Sequence, residues 1–342
     1  MLVPFYYNTL LHTVFRAQAL ICSMPRRIQI QHLHLAGLTH YEHASALQAT
    51  VVSRFLAFKR NPSSLPLPPP TIITFSPYPI YTTGRRDSEM PSSAQLRVLR
   101  APLPPDSRTA GARPQTLQTA DFAHALRGGR TTFHGPGQLV IYPIFSLAHP
   151  PSFARGVLSS RCYVDTLEEA TIRTVAPYGV RGVRASNPGV WVVGPSPALP
   201  NGDGGNGTKS HSDERKIAAL GVHLRRNVAS HGVALNITTD LRWFDRIVAC
   251  GLEGKSVTSL EHELASAAPP TLEEVAESWV ANFARLVGFG RADGRDVDGG
   301  ETVRVSEEDI TGTETRDQSG QARTWDEAHL VLGPTGSQAT TG

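Results

Sequence analysis

Apolar residues recur at helical spacing in three stretches of the chain. From Tyr41 to Lys59, residues Ala44, Leu47, Val51, Phe55 and Phe58 fall three or four apart and predict an amphipathic helix. From Ser160 to Val175, Val164, Leu167, Thr171 and Val175 do the same. A third stripe of Leu272, Val275, Trp279, Phe283 and Leu286 follows Thr271 and Glu274, the pair of a capping box. Between these stretches lie short continuous apolar runs of the kind that form buried strands. They are Leu139–Tyr142, bounded by Gly137 and Pro143, then Val190–Val193, Ile217–Leu224 and Val233–Ile237, with a further β-rich segment Thr71–Phe75. Helices interspersed with strands predict a layered α/β (α+β) domain.

The pattern lapses in four places. Residues 61–70 carry four prolines in Leu65–Pro70, residues 101–118 mix Pro, Ala, Arg and Gln, and residues 195–214 include the run Asn201–Gly207. All three read as inserts, the last in a surface loop between two strands. After about Gly290 apolar periodicity is almost absent, so 291–342 reads as a disordered tail outside the domain. Charge sharpens that division: the tail holds 11 acidic and 5 basic residues, a net of −6, which leaves +9 on the preceding 290 residues of a chain whose total is +3. The first acidic residue is Glu42, and Arg16, Arg26 and Arg27 lie among apolar residues and hydroxyls, so residues 1–27 have the composition of a mitochondrial presequence. No apolar run approaches the roughly 18 residues that span a bilayer. With three scattered cysteines, Cys22, Cys162 and Cys250, the chain has neither a disulfide scaffold nor a cysteine-rich zinc site. His32, His34, His40 and His43 lack a cysteine pair or an HExxH pattern, and no metal is expected there.

Three segments carry candidate chemistry. In Arg127–Gln138 four glycines and a proline precede a buried strand, which describes a loop whose backbone approaches something closely. Lys216 opens the otherwise apolar strand Ile217–Val222, and His231–Asn236 brings a His-Gly step to another strand. In Phe244–Ser259, Cys250-Gly251 lies where an apolar run meets a turn, and Val257–Leu260 follows. Gly254-Lys255-Ser256 resembles the end of a phosphate-binding loop, but Ala249 stands where that loop needs glycine.

Taken in order, these segments resemble the octanoyltransferase family of lipoic acid synthesis, also called lipoyl(octanoyl) transferase or lipoate-protein ligase B, in a fungal-like mitochondrial form with inserts. Its pattern joins an RGGxxTxHGPGQ loop, a KIAAIG strand, an HG-aL-N strand and a PCG turn followed by VTSL. Tyr78–Arg86 and Gly189–Val192 add further agreement, and the resemblance covers most of residues 28–290, the expected catalytic domain, apart from the inserts. It implies a single domain on a mixed β-sheet flanked by helices, like the biotin and lipoate protein ligases, with no cofactor. It also implies transfer of an octanoyl group from acyl carrier protein to a lysine of lipoyl domains, those of 2-oxoacid dehydrogenase complexes and of glycine cleavage H protein, in the mitochondrial matrix. On this resemblance Cys250 is the nucleophile and Lys216 its activator. The acyl group is held by Arg127, Gly128, Gly129, Arg130, Thr131, Thr132, Phe133 and His134, by Ala219, Leu220 and Gly221, and by Gly232, Val233 and Ala234. The family's proline before the cysteine is Ala249 here, which loosens that turn without removing the thiol.

These residue types suit the implied reaction. A neutral thiol is a weak nucleophile and needs a cation beside it. An ammonium about 4 Å away at an effective dielectric of about 20 contributes roughly 4 kcal/mol, enough to lower a thiol pKa by up to about three units before desolvation takes some back. Burying about seven methylenes contributes roughly 5 to 6 kcal/mol, so an apolar tunnel is expected to set chain length. The alternatives are an ATP-dependent lipoate or biotin ligase, which needs no catalytic cysteine, and a non-catalytic scaffold that binds carrier proteins. The positive charge is dispersed, with no aromatic-interleaved basic run, and points to acidic protein partners rather than nucleic acid.

Overall fold

The computed structural model describes residues 29–87, 90–103, 119–148, 158–194, 214–247, 256–264, 268–288, 302–312, 314–316 and 322–324. The proposed presequence, the centre of the second and third inserts, most of the tail and Cys250 with its neighbours Ala249 and Gly251 lie outside them.

The helical stripes fold as their spacing dictates. Helix α1 (Tyr41–Arg60) buries Ala44, Leu47, Val51 and Phe55. Farther along the chain come α2 (Ser93–Arg100), α3 (Ser160–Val175), the single turn α4 (Leu260–Leu264) and α5 (Leu272–Leu286). At the start of α5 the capping box forms: Thr271 Oγ1 accepts from the Glu274 N–H, and the Glu274 carboxylate accepts from the Thr271 N–H. Trp279 of α5 donates from Nε1 to Thr171 Oγ1 of α3 at 2.9 Å, which makes the one polar position of the α3 stripe a satisfied core contact.

The strands are β1 (Ile30–Thr39), β2 (Thr71–Pro77), β3 (Ile80–Thr83), β4 (Asp121–His124), β5 (Thr132–His134), β6 (Gln138–Ser146), β7 (Gly182–Arg184), β8 (Val190–Val193), β9 (Glu214–Arg225), β10 (Val228–Asn236), β11 (Ser256–Val257) and β12 (Thr302–Arg304). The main sheet runs β12-β1-β2-β6-β10-β9-β8-β7, with β11 paired to β9. It is mixed: β12-β1, β1-β2 and β9-β11 are parallel and the remaining pairs antiparallel. A small sheet β4-β3-β5 stands beside it. All nine residues of β6 are buried, as expected of a central strand covered on both faces. Tyr142 and Phe145 of β6 fall on opposite faces. Phe145 meets Tyr163 of α3 and Phe283 of α5, and Tyr142 meets His231 and hydrogen bonds with Tyr41 of α1. The expected single α/β domain with a mixed sheet flanked by helices is the architecture found.

One expectation is corrected. Within the tail taken to be disordered, residues 302–312 belong to the fold: β12 extends the sheet edge, with Ile30 opposite Thr302 and His32 opposite Arg304. Helix α6 (Glu307–Thr311) then rests on α1. Arg54 Nη2 donates to the carbonyls of Ile310 at 2.7 Å and Gly312 at 2.9 Å, and Ile310 is fully buried. Buried Ile310, partly buried Val305 packed on the same core, and a Ser306–Asp309 capping box hold the segment where no periodic stripe exists. Beyond it, β13 (Glu314–Arg316) and β14 (Ala322–Thr324) pair antiparallel. The strands flanking the third insert, β8 and β9, are antiparallel neighbours. In the first insert, Pro70 is buried and its carbonyl accepts from the Gln31 N–H.

Candidate active site

Two of the three sequence segments, Arg127–Gln138 and the strand pair carrying Lys216 and His231, line one cavity of about 240 Å³. Strand β9 brings Lys216, Ala219, Leu220, Gly221 and Val222 to its wall, and β10 brings His231, Gly232, Val233 and Ala234. These strands are paired in register, Gly221 opposite Gly232 and Ala219 opposite Ala234. Small residues face each other there, which leaves room above the sheet. Gly232 serves a second purpose: a Cβ on it would stand 2.5 Å from the Ile141 carbonyl oxygen and 2.7 Å from Pro143 Cδ, so only glycine lets β10 approach β6 this closely.

The loop Arg127–Thr132 closes another side. Arg127 is buried, and its guanidinium holds the loop to β3: Nη2 donates to the Thr82 carbonyl and to Thr82 Oγ1, both at 2.8 Å, while Nη1 donates to the Arg130 carbonyl at 3.0 Å. Gly84, at the start of the Gly-Arg-Arg step, lets this loop sit down, because a Cβ there would lie 2.5 Å from the Gly129 oxygen. Gly128 donates its N–H to the Val222 carbonyl, which fastens the loop across β9.

A buried polar chain ties the loop to the other segments. His134 Nδ1 lies 2.7 Å from Gln138 Oε1. Gln138 Nε2 donates to Asn236 Oδ1 at 2.8 Å, and Asn236 Nδ2 donates to the Thr258 carbonyl at 2.9 Å. The Thr258 N–H in turn donates to the Lys216 carbonyl. Since Gln138 Oε1 only accepts, the proton of His134 sits on Nδ1. Burial and the nearby Arg127 charge lower its pKa to about 4, so the ring is neutral. Strand β11 is locked by the same cluster: Thr258 Oγ1 donates to Glu263, whose carboxylate takes both Nε and Nη2 of Arg215 at 3.0 Å. Ser256 and Val257 therefore pair with Arg215 and Lys216. The chain that leaves the Cys250 segment is fixed beside Lys216.

Lys216 itself is buried. Its Nζ donates to the Pro188 carbonyl at 3.3 Å and stands 4.6 Å from the centre of the Trp191 ring. The Glu168 carboxylate, close enough to interact with Lys216, accepts from the Gly189 N–H at 2.9 Å. Burial pushes the Glu168 pKa up against the opposing pull of that N–H and of the Arg184 and Lys216 charges.

Of the residues expected to hold the acyl group, Arg127, Gly128, Gly129, Arg130, Thr132, His134, Ala219, Leu220, Gly221, Gly232, Val233 and Ala234 line the cavity. Thr131 and Phe133 stand behind it. Thr131 donates from N and Oγ1 to Asp87 Oδ2 at 2.7 and 2.9 Å, and Phe133 stacks on Trp243, ring centres 5.0 Å apart, in a second small core. Cys250 lies outside the described residues. Further lining comes from Arg86, Val140, Tyr142, Val164, Asn187, Pro188 and His231. Sequence reasoning had no site signal for Val164, which is simply the first apolar residue of the α3 stripe. Asn187 and Pro188 adjoin Gly189–Val192, where position in the chain was the available clue. His32 Nε2 and His34 Nδ1 both lie 2.9 Å from Thr74 Oγ1, and among the described residues no group of three His, Cys, Asp or Glu side chains is placed to hold a metal. No helix among them is long and apolar enough to cross a membrane.

Residues 42–284 match the lipoyl protein ligase A/B catalytic domain. A probable octanoyltransferase of Schizosaccharomyces pombe is 39% identical over 69% of this chain and 88% of its own length. A mitochondrial octanoyl-acyl-carrier-protein:protein N-octanoyltransferase of Danio rerio is 34% identical over 74% of this chain and 92% of its own. Among solved structures, a bi-partite lipoate protein ligase from Thermoplasma acidophilum is similar at a TM-score of 0.46 and 14% identity, covering 82% of this chain and 89% of that one. With the catalytic-domain match spanning the strands and loops that build the cavity, and relatives of this identity along most of its length, the chain belongs to the octanoyltransferase family of acyltransferases, on the lipoyl protein ligase A/B catalytic domain.

Proposed function

We propose that the protein transfers an octanoyl group from acyl carrier protein to a lysine of lipoyl domains through a thioester on Cys250. The observation that carries this reading is the cavity whose wall holds both the buried amine of Lys216 and the facing small residues of β9 and β10. An apolar acyl chain fits such a channel, and Lys216 is the cation beside its reacting end.

In the first half-reaction the Cys250 thiolate attacks the carrier thioester carbonyl. The tetrahedral intermediate collapses with loss of the carrier thiol, which takes its proton from the Lys216 ammonium. In the second, neutral Lys216 accepts a proton from the incoming substrate lysine as its amine attacks octanoyl-Cys250. The carbon–sulfur bond breaks, an amide forms, and the Cys250 thiolate is restored beside a protonated Lys216. Backbone N–H groups at Gly251 or in the Gly128–Gly137 loop supply the oxyanion donors. Arg127, Gly128, Gly129, Arg130, Thr132, His134, Ala219–Gly221 and Gly232–Ala234 shape the acyl channel, with Thr131 and Phe133 holding the loop from behind.

The donor and acceptor are supported by the name of the Danio rerio relative, which gives acyl carrier protein as donor and protein as acceptor. Relatives from Danio rerio, Drosophila melanogaster and Saccharomyces cerevisiae are named as mitochondrial. With the acid-free segment before Glu42, they support a mitochondrial protein; we infer that residues 1–27 are its presequence and that it acts in the matrix. The test is reconstitution: purified protein, octanoyl-acyl carrier protein and apo lipoyl domain are expected to give octanoylated lipoyl domain without ATP. A requirement for free octanoate and ATP would assign the protein to the ligases instead.

A further inference from the structure

The amine of Lys216 meets one end of a peptide group whose other end meets a buried carboxylate. Lys216 Nζ donates to the Pro188 carbonyl at 3.3 Å, and the N–H of the same peptide, that of Gly189, donates to Glu168 Oε1 at 2.9 Å. The Pro188–Gly189 peptide thus stands between amine and carboxylate with its dipole aligned to both, and hydrogen bonds in such a chain polarise one another. Glu168 has no part in the acyl-transfer steps above, and it does not line the cavity.

The surrounding turn fits that peptide closely. Gly189 has a φ of 137, where L side chains are strained, and a Cβ on it would lie 2.8 Å from the Ala218 carbonyl oxygen and 3.4 Å from Lys216 Nζ. Only glycine lets the turn come this near the amine. Trp191 Nε1 donates to the Asn187 carbonyl at 3.1 Å and tethers the other side of the turn. The β8-β9 register shifts between Val190–Ala218 and Trp191–Lys216, which sets Lys216 opposite Trp191. Glu168 comes from the buried face of α3 and is itself fixed: its Oε2 lies 3.3 Å from Nε of Arg184, whose Nη2 also donates to Glu169 and to the Asp165 carbonyl. The carboxylate is therefore held in place before it meets the Gly189 N–H.

We propose that Glu168 is a positioning residue for Lys216: by accepting from the Gly189 N–H it fixes the Pro188–Gly189 peptide with its carbonyl turned to the amine. The inference rests on the acyl-transfer reading above, in which Lys216 carries the proton, and adds to it the residue that orients that amine. With no acceptor at position 168 the Gly189 N–H is buried unpaired, a cost that rotating the peptide relieves. The Pro188 carbonyl then leaves the amine, and Lys216 loses the orientation that both proton transfers need. Reach and acceptance matter here more than charge. A carboxamide of the same length can accept from Gly189, whereas a shorter carboxylate does not reach it.

The test measures kcat and KM for octanoyl-acyl carrier protein, with apo lipoyl domain as acceptor. Glu168→Asp keeps the charge beside Arg184 but falls one methylene short of the Gly189 N–H, and is expected to lose about tenfold or more in kcat with KM within about threefold of wild type. Glu168→Leu, of similar bulk and without an acceptor, is expected to match it and serves if the aspartate variant does not fold. Glu168→Gln gives up the charge but keeps the reach, and is expected to stay within about threefold of wild type in kcat. In a Lys216→Met background, Glu168→Asp is expected to cost less than about twofold, because its effect passes through the amine. A residue that only supported the fold would cost as much there as in wild type. Wild-type kcat in Glu168→Asp, a Glu168→Gln variant as poor as Glu168→Asp, or the full loss retained in the Lys216→Met background would each overturn the proposal. A wild type that transfers no octanoyl, or a Lys216→Met variant that transfers it at the wild-type rate, would instead overturn the reading on which it rests.

Discussion

Lys216, the proposed activator, stands in an environment unusual for an amine. An amine that opens an apolar strand would ordinarily extend into water, but here it is buried against the Pro188 carbonyl and the Trp191 ring. Replacing it with Met keeps the stem and removes the proposed proton carrier. Lys216→Met is expected to lower octanoyl transfer by roughly 100-fold or more, with the melting temperature little changed; steady-state rates on the variant check this. The buried histidines give a second residue-scale expectation. Burial lowers the pKa values of His32, His134 and His231 to about 4, 4 and 3, below the ordinary histidine value of about 6.5. The unfolded chain thus binds more protons than the native one at mildly acid pH. Stability is expected to be full above about pH 6.5 and to fall progressively as pH drops toward 4, at up to about 1.4 kcal/mol per unit per group. Thermal unfolding across that range measures it, and a melting temperature flat from pH 7 to 4 would contradict the burial of these rings in neutral form. At this scale the sequence was informative where a residue type is unusual in its setting, as with Lys216 among apolar neighbours. It was silent on Glu168, which the α3 stripe disguises as a surface polar residue, and on the His134-Gln138-Asn236-Thr258 chain, whose members are up to 124 positions apart and meet only through sheet pairing.

Elements followed their periodicity closely. Helix α3 and strand β8 have the ends that spacing predicted, and α1 extends one residue past its predicted end, because long stripes and continuous apolar runs report burial directly. Strand β1 escaped notice since histidines and glutamine interrupt its apolar residues; His32 and His34 are accommodated by Thr74 on the neighbouring strand, a partner that β1's own sequence does not reveal. Strands β3, β4 and β5 are three or four residues each, too short for a period to register. Two substitutions test the elements. Thr271→Ala removes the α5 cap and is expected to cost about 1 kcal/mol in denaturant unfolding. Gly232→Ala forces a methyl against the Ile141 carbonyl and is expected to cost more, both in stability and in acyl binding, because β9, β10 and the channel between them move together.

At the scale of the whole molecule, the acidic tail is not simply an appendage. Its segment 302–312 adds the edge strand β12 and places Ile310 in the core. Truncation before Glu301, or Ile310→Ala, is expected to lower stability by about 2 kcal/mol or more in the same unfolding assay. An unchanged midpoint would mean that the tail does not support the domain. The net +9 of the preceding residues suits the acidic carrier proteins proposed as partners, and no separate second domain is needed to account for the described fold. The most direct test of the central claim, that transfer proceeds through an acyl-enzyme, is intact-mass spectrometry of the full chain after a single turnover with octanoyl-acyl carrier protein and no acceptor. Wild type is predicted to gain one octanoyl group that Cys250→Ser does not retain as a thioester and that apo lipoyl domain discharges. A wild-type protein that transfers octanoyl efficiently yet never carries it, or a Cys250→Ser variant that turns over at the wild-type rate, would contradict the account.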